Sequence, residues 1–121
     1  MNPYQAPLAD MRFLLEQVFD APNTWSQLPD IAEMVDMDTA NAILEEAAKI
    51  CEQQLAPFSK LADQQGAKLN EGKVTVPEHY HSAYQSLSEG GWTGLSGDPE
   101  YGGMGMPKSL SGLYDEMMCS A

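Results

Sequence analysis

At 121 residues and 13.2 kDa the chain is shorter than a typical domain of roughly 150 residues, so one domain or part of one is expected and a multidomain enzyme is excluded for the chain as it stands. Six Lys and Arg against eighteen Asp and Glu give a formal charge of −12, which repels phosphate backbones and anionic headgroups and argues against nucleic acid and acidic membrane surfaces as partners. Hydrophobic content is 43%, inside the globular range, and a folded chain of this mass exposes roughly 6,400 Å² of about 19,000 Å², which leaves burial for one modest core.

No apolar run exceeds three residues, Phe13-Leu14-Leu15 being one, far short of the roughly 20 needed to span a bilayer. Nothing before Arg12 forms a charged stretch followed by an apolar one, so no secretory leader is expected and the cytoplasm is the expected location. Cys51 and Cys119 lie far apart without a CxxC or a partner at metal spacing, which predicts free thiols.

In chain order, Leu8, Met11, Leu15 and Val18 recur at steps of three and four, widened by Leu14 and Phe19, and predict a helix with one buried face, stopped by Pro22 and Asn23. Trp25 anchors a short turn of helix or loop from Thr24 to Pro29. After Asp38, the expected N-cap, the series Ala40, Leu44, Ala47, Cys51, Leu55, Phe58, Ala62 predicts the longest helix, with a kink or restart near Leu55 to Phe58 caused by Pro57 and an end at Gly66. Asn70-Glu71-Gly72 offers a turn for a small hairpin or an ordered loop between Lys68 and Val76. Thr75 and Glu78 fit a capping box before a helix carrying Tyr80, Ala83, Tyr84 and Leu87, which ends at Gly90-Gly91. Glycine and proline crowd the stretch from Gly90 to Pro107 and predict a specifically shaped loop. Leu110, Leu113, Tyr114, Met117 and Met118 then begin a further amphipathic helix that reaches Ala121 with no Gly, Asn or basic residue to end it, so a cut within an element is expected. The expected fold class is all-α.

Residues that could carry chemistry are few. His79 and His81, two apart on a helix, point about 200° apart and do not share a ligand. Glu45-Glu46 and the pair Asp98 and Glu100 are the closest carboxylate groupings, yet an acid and a base need unlike environments that separate their pKa values. Gly102-Gly103-Met104-Gly105 lacks the Lys-Ser/Thr of a P-loop and the GxGxxG order. Met117 and Met118 read as core. Composition and spacing therefore reach an acidic helical domain without an active site.

The loop Glu89-Gly90-Gly91-Trp92-Thr93-Gly94-Leu95 through Pro99-Glu100-Tyr101-Gly102-Gly103-Met104-Gly105-Met106-Pro107 resembles the segment of the acyl-CoA dehydrogenase family in which a helix ends at glycine, a Gly-Leu pair follows, and a Pro-Glu-Tyr-Gly-Gly-x-Gly turn leads into the next helix. Glu52-Gln53-Gln54-Leu55-Ala56-Pro57 and Tyr114-Asp115-Glu116-Met117 are similar to the family's corresponding helices. Tyr4 to Phe13 resembles a bacterial branch with an added N-terminal helical segment, a branch that includes enzymes acting on 3-methylthiopropanoyl-CoA. The resemblance implies a division into an N-terminal helical extension, 1–37, and a truncated N-terminal helical domain, 38–121. It implies a parent flavoenzyme that uses FAD to oxidise an acyl-CoA to its trans-2-enoyl form and passes electrons to an acceptor. The family's base and its flavin-contacting β-domain have no counterpart here, so no catalytic, cofactor-binding or metal residue is carried over, and this chain alone is expected to hold no FAD and to be inactive. Apolar faces deprived of neighbours, near Tyr84, Leu87, Leu113 and Met117, imply self-association through the final helix. A standalone acidic helical interaction module is the alternative from another class, and a degenerate relative without flavin chemistry is a third.

Overall fold

The computed structural model describes residues 3–121. Its fold is all-α, seven helices and one short hairpin among the described residues. Helix α1, Leu8–Phe13, widens into a π turn over Leu14–Val18. Met11 and Leu15 are buried, but at the end of the wider turn Val18 and Phe19 stand 51% and 68% exposed. The break falls at Asp20, whose φ of 47° is left-handed, and not at Pro22. Pro22 instead sits in the first turn of α2, Ala21–Ser26, where its missing N–H has no intrahelical partner to lose. Trp25 in α2 is buried and its indole N–H donates to the Ser109 hydroxyl at 3.0 Å, so the expected anchor is present. Pro29 opens α3, Pro29–Ala32.

Helix α4, Met37–Ile50, is capped by Asp36, not Asp38. The extended backbone of Asp36 lets its carboxylate accept the Thr39 N–H at 2.8 Å, which holds that carboxyl below its usual range. Asp38 falls inside the first turn, where its negative charge favours the helix dipole. Ala40, Leu44, Ala47 and Ala48 form the buried face. The helix continues through a second π turn, Cys51–Leu55, into α5, Ala56–Gln65, with Pro57 in the first turn of α5. Proline has no N–H to give to the carbonyl four residues back, and the Ala56 N–H reaches five residues back to Cys51. The restart expected near Leu55 is thus a widened turn that absorbs the proline. Gly66, at φ 63°, ends α5.

Strands β1, Lys68–Asn70, and β2, Lys73–Thr75, pair antiparallel with Leu69 opposite Val74. The two-residue turn has positive φ at both Glu71 and Gly72, the backbone that matches strand twist in tight hairpins. Thr75 belongs to this ladder and its hydroxyl donates to the Lys68 carbonyl, so the capping box is not formed. Helix α6, Glu78–Glu89, starts after Pro77 without a side-chain cap. It buries Leu87 and leaves Tyr80 and Tyr84 exposed. Helix α7, Lys108–Ser120, buries Leu110, Ser111, Tyr114 and Met117 and packs on α4. One cluster joins Met11, Leu15 and Trp25 to Leu44, Cys51, Leu95, Leu110 and Met117. The surface of 8085 Å² exceeds the roughly 6,400 Å² expected of a compact chain of this mass.

Candidate functional site

The loop that carries the resemblance is a closed knot of backbone. After α6 a 3-10 turn, Trp92–Gly94, and another, Pro99–Tyr101, fold residues 94–97 back against 103–106. Met104, Gly105 and Met106 N–H groups donate to the Gly94, Gly97 and Leu95 carbonyls at 2.9 Å, and Gly103 N–H to the Asp98 carbonyl at 3.0 Å. The Asp98 carboxylate caps the second turn through the Glu100 N–H at 2.9 Å. A Cβ on Gly103 would lie 2.1 Å from the Gly97 carbonyl carbon, so only glycine permits this crossing. Leu95 plugs the loop into the core, and Trp92 packs on Tyr114 with ring centroids 5.2 Å apart. The backbone hydrogen bonds consume most of the loop's amides internally.

Seventeen of the eighteen carboxylates are exposed, Glu45, Glu46, Asp98 and Glu100 among them. The half-buried one, Glu52, accepts the Ala6 N–H at 2.8 Å and ties the leading segment to the π turn. Glu45 pairs with Arg12 and Glu46 with Lys49. Cys51 is buried and Cys119 exposed, both free. Burial, aided by the nearby Glu52 charge, pushes the Cys51 thiol up to about 11. Burial, with Cys51 and Asp115 adding to it, pushes Tyr114 up to about 12. Tyr4 is raised chiefly by burial, and its hydroxyl is shielded without a partner.

A cavity of about 380 Å³ lies between α5 and α6 at the end of α7. Its lining is mainly apolar, with Leu55, Phe58, Tyr84 and Leu87 around His79. The His79 ring stacks on Phe58 at 4.5 Å between centroids, and its Nε2 is shielded without a hydrogen-bond partner. His81 is exposed, so the two histidines do not converge. Phe58, expected on the core stripe, is 40% exposed and forms a groove wall instead. Sequence periodicity does not show this groove, because its walls come from residues far apart in the chain, Leu55 and Phe58 on one side and His79, Tyr84 and Leu87 on the other.

In sequence this chain is similar to an acyl-CoA dehydrogenase along nearly its whole length, as the loop and its flanking helices imply. Over 118 residues, 98% of the chain, it is 38% identical to the 3-methylmercaptopropionyl-CoA dehydrogenase of Ruegeria pomeroyi. The chain spans about a fifth of that relative's length. No protein-family model matches it. The helical fold agrees with a helical domain of such an enzyme.

Proposed function

We propose that this chain is a helical part of a bacterial, cytoplasmic, FAD-dependent acyl-CoA dehydrogenase, with 1–37 as an added helical extension and 38–121 as the leading part of its N-terminal helical domain. The observation that carries the reading is the 38% identity over 98% of the chain to a dehydrogenase of which it spans a fifth. The whole enzyme oxidises an acyl-CoA thioester to the trans-2-enoyl-CoA and passes electrons to an acceptor. FAD supplies the hydride acceptor in that chemistry. The residues described above contribute scaffold: the Gly97–Gly103 crossing fixes the loop, Leu95 seats it in the common core, and Trp25 ties α2 to α7 through Ser109. The chain alone is read as holding no FAD and having no dehydrogenase activity, a reading supported by its span of about a fifth of the relative's length.

Titration of the purified chain with FAD, followed by flavin fluorescence, tests this. Saturable binding at low micromolar FAD, or dye reduction with any acyl-CoA, overturns it. The standalone helical module is the second reading, favoured by the complete burial of Leu110 and Met117 in α7. Reading the transcript past codon 121 separates the two, since a β-rich domain followed by further helices belongs only to the enzyme.

A further inference from the structure

A second hollow, of about 310 Å³, lies between the 3-10 turn Trp92–Gly94 and α7, a size at the lower end of small-molecule sites. Unlike the groove around His79, its lining is mainly polar, with Thr93, Ser96 and Ser111 beside Lys108 and Asp115. Lys108 and Asp115 stand seven positions apart on α7, about 10 Å along the helix axis. Neither takes part in the two ion pairs among the described residues. The Lys108 Nζ donates to the Ser96 hydroxyl at 2.8 Å, which ties the ammonium to the loop. Gly112 lines the same hollow, in the interior of α7. Its φ is not positive, and a Cβ there would meet nothing within 4 Å. Neither backbone conformation nor close packing within the chain calls for glycine, the poorest helix-interior residue after proline. What glycine supplies at this position is room over the α7 backbone.

We propose that this hollow binds a small dipolar ligand of the ω-amino acid class. Its carboxylate sits on Lys108 and Ser96, its ammonium on Asp115, and its chain over Gly112. The two unpaired charges select the class. A simple anion leaves Asp115 unanswered and enters against the field of a chain carrying −12. A simple cation leaves Lys108 unanswered. A ligand with both charges and no net charge meets an opposite charge at each end and is indifferent to the net field. The site does not depend on the dehydrogenase reading.

Amide NMR spectra of the 121-residue chain titrated with 6-aminohexanoate test it, with hexanoate and hexylamine as single-charge controls. Saturable shifts at Ser96, Lys108 and Gly112 are expected, with half-saturation below about 10 mM and both controls at least about tenfold weaker. Gly112→Leu fills the hollow from a position where the added side chain meets no neighbour. It is expected to melt no lower than the parent and to lose the saturable shifts. Lys108→Met and Asp115→Asn, both at exposed positions, are each expected to weaken binding at least about tenfold, and they decide the matter if Gly112→Leu does not fold. The absence of saturable shifts in the parent chain overturns the proposal, as does equal binding of either control. So does binding that survives in a folded Gly112→Leu or in both charge variants.

Discussion

At the scale of single residues, Cys51 and Tyr114 share one buried region and both hold their protons more tightly than in an unfolded chain, whose thiol and phenol titrate at 9.0 and 10.0. A proton held more tightly in the folded state stabilises it fully below the unfolded value, and that contribution is lost as pH rises through the folded one. Stability should therefore fall between about pH 9 and 12, and Cys51→Ala should flatten the first part of that fall in urea titrations at stepped pH. The exposed Cys119 thiol should react with a disulfide reagent well before Cys51 does, and equal rates would show that Cys51 is open to solvent. The glycines of the loop differ in kind. Gly103→Ala meets Gly97 backbone and should cost at least the upper part of about 1–3 kcal/mol. Gly102→Ala, at φ 85° with nothing within 4 Å, should cost only about 1 kcal/mol of backbone strain. Thermal melts of the two variants should separate them.

At the scale of elements, the departures from simple periodicity share one cause. Both long helical stretches contain a π turn, and a turn closed at five residues shifts every later side chain off the stripe. Leu44, upstream of the second π turn, is fully buried, whereas Leu55, at its end, is half-buried and lines the groove. Leu44→Ala should cost about 2–5 kcal/mol and Leu55→Ala about 1–2 kcal/mol. Equal costs in urea unfolding would mean that the stripe runs straight through Pro57. Caps are decided equally locally. Asp36 and Asp38 are both competent N-caps by composition, and the extended backbone at Asp36 selects it. Asp36→Ala should lower the melting temperature and Asp36→Ser restore most of it, while Asp38→Ala should have the smaller effect.

At the scale of the molecule, residues of the expected extension, Met11, Leu15 and Trp25, lie in one cluster with Leu44, Leu110 and Met117. A shared core unfolds as a unit. In a Trp92→Phe variant, the fluorescence of Trp25 should report the extension while far-UV ellipticity reports all helices, and the two urea transitions should coincide. Separate midpoints would make residues 1–37 an independently folding unit.

What the sequence determined by itself was the repeat of apolar residues that forms the helices and the turn chemistry that ends them. Leu44, Met117 and Trp25 were legible as core because spacing and residue type suffice to bury them, and Asn-Glu-Gly was legible as a turn, while hairpin and ordered loop stayed equally open until the pairing of Leu69 with Val74. The glycine-rich loop was legible as a resemblance, but its reason was not. That Gly97 and Gly103 cross, that the loop amides satisfy each other, and that Thr75 serves a strand instead of a helix cap depend on residues brought together from different positions in the chain. Tertiary packing alone decided them, because a hydrogen bond or a close backbone approach depends on distance in space, and a linear spacing records distance only while the helix keeps one period. The π turns at Leu14–Val18 and Cys51–Leu55 interrupt that period, and at their ends and beyond the exposed Val18, Phe19 and Phe58 follow the packing and not the pattern.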